Sequence, residues 1–358
     1  MIPSGAPDTL GPWGTAGRER LWSSRTPSAN GASVLDPLAG ALVAALRSRL
    51  GSQWEIDHRG VDLVVKHRSA DSTYRAPRSA PSWSTLVDRM AEAFRTCGVP
   101  RAHALPLRWG RETDFTISAV QALDPYVKDR QPVAYRTGFI AQPVVRFTGA
   151  REPDGSLCDG FLTSFVNTSC VRPTTGVEDH VGLVDVWLTM LSRIGLNARH
   201  TSIHGPLTIW RRPPVSGITV KFKHLGLEVG DLVIVWNDAD PRIMVSDLGS
   251  GLERLGWAIT QTPWPRLVFG SLGTRGSHAV LDALRTGTLI VGSGIAPAPR
   301  GPGGALRRLM RVVPTETAAF GLSRVVRAAY SYWTLFAPLS VPWHETARIL
   351  ENEVLHRG

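Results

Sequence analysis

The chain has 358 residues, 43% of them hydrophobic, which is typical of a globular protein with two domains. Its three cysteines are widely spaced, so a disulfide framework and a Cys-x-x-Cys metal site are excluded. No apolar run approaches about 18 residues and the N-terminus lacks a signal-peptide pattern, which predicts a cytoplasmic protein without a membrane partner.

The first quarter of the chain is poor in periodic patterns. Residues 1–32 are rich in Gly, Pro, Ser, Thr and Arg, which predicts a disordered tail. Leucines at helical spacing predict a helix over 34–50, and an alternating run predicts a strand over 61–65. A linker rich in Ser, Pro and Arg follows over 68–81. Residues 33–83 are therefore predicted to form a small appended module and its linker.

The middle segment, 84–262, alternates between helical and strand-like patterns. A helix is predicted from an N-cap at Ser84 to Gly98, and a second helix over 177–194. The predicted strands are 115–120, 137–147, 161–168, 207–210, 218–222, 232–236 and 242–246. Strands joined by hairpins, with helices before and after, favour an α+β fold with an antiparallel sheet flanked by helices.

The last segment, 263–358, is predicted to be mainly helical, with helices over 278–291, 303–313, 318–334 and 343–355. A Gly/Pro-rich turn leads into a basic helix that carries Arg307, Arg308 and Arg311, which are predicted to bind RNA. The formal net charge of +10 also favours polyanionic partners such as RNA or phosphorylated ligands. A GC-rich genome that uses Arg in place of Lys would produce the same charge, and the composition leaves both explanations open.

The most informative segment is 245–255, where an apolar strand runs into Asp247, a Gly-x-Gly pair at Gly249 and Gly251, and Arg254 at the start of a helix. Glycines let the backbone approach a ligand, while the helix N-terminus and Arg254 offer amide dipoles and a cation to phosphate. This order indicates a nucleotide site. A purely structural turn is the alternative, because a third glycine and a following acidic residue are missing.

Two segments of the chain resemble sequence motifs of a known enzyme family. Ala141-Gln142-Pro143-Val144-Val145-Arg146 resembles Ser-Gln-x-Cys-Val-Arg, and Ser246-Asp247-Leu248-Gly249-Ser250-Gly251-Leu252-Glu253-Arg254 resembles Val-Asp-Thr-Gly-Met-Gly-Leu-Glu-Arg. These are motifs 2 and 3 of the class II aminoacyl-tRNA synthetases, in the form found in bacterial alanyl-tRNA synthetases. The chain therefore resembles the catalytic half of that family.

Three further segments support the resemblance, which runs from about Ser84 to the C-terminus. The helix over 86–98 and the segment 114–121 resemble the family's first helix and its Phe-Thr-Asn-Ala-Gly-Met segment. The strand over 161–169 is similar to one that ends Gly-Asn-Phe-Ser, and 293–308 is similar to a stretch of the helical tRNA-recognition domain. The resemblance implies a class II catalytic domain over 84–262 and a partial tRNA-recognition-like domain over 263–358.

The implied reaction is activation of alanine or another small amino acid by ATP, with ATP and Mg²⁺ as cofactors. By the resemblance, Arg146 would bridge the substrate carboxylate and the α-phosphate, and Arg254 would hold the triphosphate. Gly249 and Gly251 would give the nucleotide room, and Asp247 would bind the α-ammonium group. The structural alternatives are surface salt bridges for the arginines and a helix N-cap for Asp247.

The sequence also departs from the family. Asp231 stands where the family has an Asn near the amino-acid pocket, and Trp210 is the candidate for the pocket tryptophan. Acidic groups that would help to hold magnesium are absent or moved, which leaves the need for Mg²⁺ open. Lys221 and Lys223 would replace metal charge at the phosphates, or they are ordinary exposed strand lysines. His200 and His204 lack the Glu of a zinc helix and are interpreted as structural, so no protein-bound metal is predicted.

The chain ends at Gly358, so the resemblance implies a core without editing and C-terminal domains. The function expected is formation of an aminoacyl adenylate and acyl transfer to a specialised acceptor, such as a natural-product intermediate, a carrier protein or a tRNA presented by a partner. The alternatives are a minimal alanyl-tRNA synthetase that charges tRNA and a non-catalytic paralogue that binds RNA. Class II cores usually dimerise, so a homodimer is among the expected assemblies.

Overall fold

A computed structural model describes residues 36–71, 73–110, 112–135, 137–153, 156–274, 276–319 and 321–356. The strands are β1 (Trp54–Arg59), β2 (Asp62–His67), β3 (Gly138–Val145), β4 (Ser164–Thr174), β5 (Thr201–Pro206), β6 (Trp210–Arg212), β7 (Val215–His224), β8 (Leu227–Asn237) and β9 (Met244–Gly251). The helices are α1 (Pro37–Leu50), α2 (Trp83–Thr96), α3 (Asp124–Asp129), α4 (Val177–Arg193), α5 (Leu252–Thr260), α6 (Trp264–Phe269), α7 (His278–Gly292), α8 (Gly301–Met310), α9 (Thr315–Ala319), α10 (Ser323–Trp333) and α11 (Trp343–Leu355). The tail predicted over 1–32 lies outside the described residues.

All nine strands of the described ranges belong to one antiparallel sheet, in the order β1-β2-β5-β7-β8-β9-β4-β3, with β6 paired to β7. The predicted α+β fold with an antiparallel sheet and a helical portion is therefore confirmed. The segment predicted as an appended module supplies α1 and the first two strands of this sheet. Its strand β2 pairs with β5 along five residue pairs, from Asp62–Pro206 to Lys66–Ser202.

One face of the sheet is covered by helices α1, α2 and α4. Trp187 of α4 is fully buried and packs edge-on against Phe222 of β7, with ring centroids 5.8 Å apart. Phe94 of α2 stacks on Phe139 of β3 at 5.0 Å. Because side chains alternate across a strand, this packing leaves the odd-numbered residues of β8 on the opposite face. That opposite face carries the candidate site.

Several predicted elements are corrected by the structure. The predicted strand over 115–120 is an irregular segment that enters a 3-10 turn at Ala119–Leu123. Polar side chains satisfy its backbone in place of a strand neighbour, since Gln121 Oε1 accepts the Ile117 N–H at 2.7 Å and Asn167 Oδ1 accepts the Ala119 N–H at 3.0 Å. Such local bonds compete with sheet formation.

Other predicted strands and helix ends were also wrong. The predicted strand over 207–210 falls between the end of β5 at Pro206 and the start of β6 at Trp210. The first helix of the middle segment is capped by Ser82, whose side chain accepts the Thr85 N–H, and not by Ser84. No strand was predicted over β1 or β5, and β6 shares only its first residue, Trp210, with the prediction over 207–210.

The C-terminal helices attach to the sheet through buried polar contacts as well as through the apolar core. Asp282 of α7 accepts the Thr163 N–H at 3.0 Å, and Thr286 of α7 bonds to Ser164 at 2.8 Å. Over the described residues, no helix has both the length and the apolar character that a membrane crossing requires.

Candidate active site

A cavity of about 1250 Å³ lies on the open face of the sheet, over β4, β7, β8 and β9. Every residue that the sequence predicted to bind ATP or the amino acid lines this cavity: Arg146, Trp210, Asp231, Asp247, Gly249, Gly251 and Arg254. The structure therefore brings together residues that are up to 108 positions apart in the chain, from 146 to 254.

The strand register explains how these residues meet. Lys221 of β7 lies opposite Asp231 of β8, which lies opposite Gly249 of β9, which lies opposite Ser169 of β4. Two residues along β9, Asp247 shares the face of Gly249 because side chains alternate in a strand. Three strands thus bring Lys221, Asp231, Gly249 and the neighbouring Asp247 to the cavity.

The two arginines are held by backbone carbonyls and aromatic rings. Arg146 donates through Nε to the Ile117 carbonyl at 2.5 Å, and its guanidinium lies 5.1 Å from the Phe165 ring centroid. Arg254 donates through Nη2 to the Gly160 carbonyl at 2.6 Å and lies 5.1 Å from the Phe161 ring. Aromatic faces favour a cation at this distance.

Neither arginine forms an ion pair with a carboxylate of the described residues, so the alternative of surface salt bridges does not apply. Burial lowers the pKa of both Arg146 and Arg254, and nearby carboxylates, Asp231 in both cases, act in the opposite direction. An arginine side chain nonetheless stays protonated in proteins. Two fixed positive charges therefore face the cavity and are available to an anion.

Asp247 lies within strand β9, so it is not the N-cap of helix α5, which was its alternative role. Its Oδ1 atom is buried and has no hydrogen-bond partner in the part of the chain that the structure describes. Burial raises the pKa of Asp247 to about 7, against the opposing effects of Arg146 and the Ser169 hydroxyl. The charge of Asp231 raises it further. An unpaired buried carboxylate oxygen is costly, and a cationic ligand would remove that cost.

We expect this shift to make the unliganded protein less stable as pH rises from about 4 to about 7. Over that interval the unfolded chain releases the Asp247 proton while the folded chain retains it, so the free energy of unfolding falls as pH rises. Above about pH 7 both states have lost the proton, and Asp247 no longer makes stability depend on pH. Urea unfolding at a series of pH values should show this decline, and Asp247→Asn should reduce it. An identical pH slope in both proteins would contradict the assignment.

Asp231 projects into the cavity from β8 and forms no hydrogen bond or ion pair among the described residues. The protein atoms around it raise its pKa, while Lys221, Arg146 and Arg254 act to lower it. The Lys221 ammonium bonds to Glu228 at 2.8 Å. Asp231 therefore contributes a second carboxylate that no side chain neutralises directly.

Trp210 closes one side of the cavity. Its Nε1 donates to Thr219 Oγ1 at 3.0 Å, and its ring rests on Gly217, where a Cβ would lie 2.4 Å from the ring. The following residues, Arg211 and Arg212, also line the cavity and were missed. The sequence signal that could have found them is their position directly after the predicted pocket tryptophan.

Glu253 was also missed as a site residue, although it precedes Arg254 in the motif. It lines the cavity and is 1% exposed, with Arg285 Nη2 at 2.5 Å from its Oε1 and the Tyr332 hydroxyl donating to the same oxygen at 2.7 Å. The guanidinium of Arg285 also contacts the rings of Tyr332 and Trp333, 4.2 and 4.4 Å from their centroids. This buried cluster joins α5 to the C-terminal helices.

The described residues of the cavity do not form a metal-binding cluster for magnesium. Among the residues described, no three His, Cys, Asp or Glu side chains lie close enough together to hold a metal ion. The carboxylate nearest to Lys221, that of Glu228, is engaged with it. Mg²⁺ commonly binds through substrate phosphates with few protein ligands, so the magnesium prediction stays a prediction and no step is assigned to the metal.

The arginines predicted to bind RNA lie away from this lining. Arg307 and Arg308 belong to α8 and Arg311 follows it, and none of them lines the cavity. Arg307 is half-buried and its Nε bonds to Glu353 of α11 at 2.9 Å, which gives this side chain a structural role. Arg311 is exposed.

Neither the models of known protein families nor the curated protein sequences match this chain. The cavity and its residues must therefore carry the functional argument.

Proposed function

We propose that the chain is an alanyl-tRNA synthetase-like ligase that activates a small amino acid with ATP as an aminoacyl adenylate. One observation carries the proposal: a single cavity combines Arg146 and Arg254 with a buried Asp247 oxygen, and in the described part of the chain the arginines have no carboxylate partner and the oxygen has no donor. Planar guanidinium groups suit phosphate and carboxylate oxygens, and the aspartate suits an ammonium group. ATP and an amino acid together present all three ligand groups.

The volume supports two reactants. Pockets that hold one small molecule measure about 300–1000 Å³. The cavity here measures about 1250 Å³, which leaves room for an amino acid beside a nucleotide.

In the proposed reaction, a carboxylate oxygen of the amino acid attacks the α-phosphorus of ATP. The bond from the α-phosphorus to the pyrophosphate oxygen breaks, and pyrophosphate leaves with its electron pair. The nucleophile and the leaving group are both anions, so no protein side chain has to move a proton. The protein therefore contributes position and charge: Arg146 neutralises the α-phosphate, Arg254 the departing phosphates, and Asp247 orients the ammonium group.

The test is ATP–pyrophosphate exchange with each of the twenty amino acids and no added acceptor. Exchange that depends on an amino acid is the expected result. Absence of exchange with every amino acid, by a protein that remains folded by circular dichroism, would contradict the proposal.

Transfer of the acyl group to a natural-product intermediate or a carrier protein is the second half of the proposal. The alternative acceptor is tRNA, and exposed Arg311 next to α8 favours it. Aminoacylation of bulk tRNA would identify a minimal alanyl-tRNA synthetase. A non-catalytic RNA-binding paralogue would instead bind RNA with a steep salt dependence and turn over no ATP.

Gly251 allows a prediction about the space that its missing side chain leaves for a nucleotide. A Cβ at Gly251 would meet its nearest neighbours, Phe165 and Arg254, at 3.6 Å or more, which is ordinary contact. Gly251→Ala should therefore change the free energy of unfolding by less than about 1 kcal/mol, while it weakens ATP binding measured by calorimetry about tenfold. Unchanged ATP affinity would show that the nucleotide does not approach this backbone.

Gly249→Ala is the matched comparison. There a Cβ would lie 2.6 Å from Ser169 Oγ and 3.4 Å from Asn167 Nδ2, within the sheet itself. This variant should lower the free energy of unfolding, whereas Gly251→Ala should lower the affinity for ATP. The two variants therefore distinguish a glycine needed by the ligand from one needed by the packing of the sheet.

A further inference from the structure

The cavity presents two aspartate carboxylates to a ligand, beside several cationic side chains. Asp247 and Asp231 both face it from adjacent strands, and each lacks a direct ion pair among the residues described. Lys221 lies opposite Asp231 in the sheet, but its ammonium bonds to Glu228 at 2.8 Å. A ligand with two cationic groups can therefore pair with both carboxylates.

Arg146 and Arg254 are expected to pair with the substrates and not with the two aspartates. Arg146 and Arg254 face the cavity with their donors directed to backbone carbonyls and aromatic rings, and bound phosphates and a carboxylate would engage their charge. The α-ammonium of an amino acid can then neutralise Asp247. Asp231 is exposed to the cavity and has no ion pair among the described residues, so it is open to a second cationic group of the ligand.

The strand geometry limits where a second cation would lie. Asp231 is opposite Gly249, and Asp247 is two residues from Gly249 on the same face, so the two aspartates are diagonal neighbours. Diagonal neighbours in an antiparallel pair have Cα atoms about 7–8 Å apart, with the side chains somewhat closer. Two ammonium groups separated by a few carbon atoms could each reach one carboxylate.

We propose that Asp231 and Asp247 together select an α-amino acid with a second amine on a short side chain, of the 2,3-diaminopropionate or 2,4-diaminobutyrate class. This inference rests on the proposed amino-acid activation. Asp247 binds the α-ammonium group and Asp231 binds the side-chain ammonium group. Val233, which lies opposite Asp247, and Val235, two residues further along β8, line the same face of the cavity. They favour short methylene spacers over long polar side chains.

The experiment compares two amino acids of nearly equal size in ATP–pyrophosphate exchange with the full chain. 2,3-Diaminopropionate ends in an ammonium group where 2-aminobutyrate ends in a methyl group. We expect kcat/KM to be about 100-fold higher for the diamino acid, since a site that pairs with a polar group strongly rejects the analogue that lacks it. In Asp231→Asn, the ratio of the two kcat/KM values should fall to within about threefold of one.

Each outcome is decisive. A wild-type ratio near one, or a preference for 2-aminobutyrate or alanine, would overturn the inference while leaving amino-acid activation intact. No exchange with any amino acid would overturn the proposed function itself. If Asp231→Asn raises the magnesium concentration needed for half-maximal exchange and leaves the ratio unchanged, Asp231 serves the metal and the inference is wrong. The wild-type comparison requires no variant to fold.

Discussion

Replacing Arg254 by alanine is expected to lower kcat/KM for ATP–pyrophosphate exchange by about 1000-fold. Arg254 has no carboxylate partner among the described residues, and its guanidinium is fixed by the Gly160 carbonyl and the Phe161 ring. A fixed charge that meets the phosphates only as they develop additional charge stabilises the transition state more than the ground state. The measurement is exchange at subsaturating ATP with the preferred amino acid.

Two further variants make the Arg254 result specific. Arg254→Lys keeps the charge but loses the planar fork, so it should recover only part of the activity. Arg242→Ala is the matched control, because the Arg242 side chain is 90% exposed, pairs with Asp240 in the turn before β9, and does not line the cavity. It should retain exchange within about twofold. An Arg254→Ala protein with more than a tenth of the wild-type activity would show that phosphate charge is neutralised elsewhere.

The second large effect is expected at the buried pair between Glu253 and Arg285. Arg285→Met should lower the free energy of unfolding by about 3–5 kcal/mol, because it leaves the Glu253 carboxylate buried without its cation. The Tyr332 hydroxyl and the Val166 N–H also donate to this carboxylate, but neither carries a charge that could replace Arg285, and the Glu253 side chain is only 2% exposed. Urea unfolding followed by tryptophan fluorescence measures the change.

A double variant distinguishes charge from packing at this pair. Arg285→Met combined with Glu253→Gln removes both charges, and it should be more stable than Arg285→Met alone. The same substitution in an exposed pair, Arg348→Met beside Glu345, should lower the free energy of unfolding far less. If Arg285→Met is no more destabilising than Arg348→Met, the buried pair does not join α5 to the C-terminal helices.

The local patterns in the sequence were sufficient for most helices and for the central strands. Amphipathic spacing with acids at the start and Arg193 at the end predicted the helix over 177–194, and the structure places α4 at Val177–Arg193. The failures fall where backbone bonding is satisfied from elsewhere. The segment 115–120 has the composition of a strand, but Gln121 and the distant Asn167 occupy its N–H groups. No pattern within the segment reveals those partners.

The candidate site divides in the same way. Arg146, Asp247 and Arg254 were predicted because each lies within a motif whose residue order is visible along the chain, and the cavity contains all of them. Arg285 and Tyr332 were not predicted, since their connection to Glu253 spans 32 and 79 positions and depends on how the C-terminal helices pack. The distinction between a strand and a loop at Gly249 also required the pairing of β9 with β8 and β4.

By itself, the sequence determined the α+β class, the order of its main helices and strands, and the arginines and aspartates that a phosphate and an ammonium group would need. Hydrophobic periodicity and motif order are properties of neighbouring residues, so they are legible in one dimension. Only the tertiary structure decided that Asp231 and Asp247 share one face and that Glu253 is buried against Arg285. It also decided that Arg146 and Arg254 have no carboxylate partner among the described residues. Register, burial and pairing arise between segments far apart in the chain, and they exist only once the strands have paired and the helices have packed on the sheet.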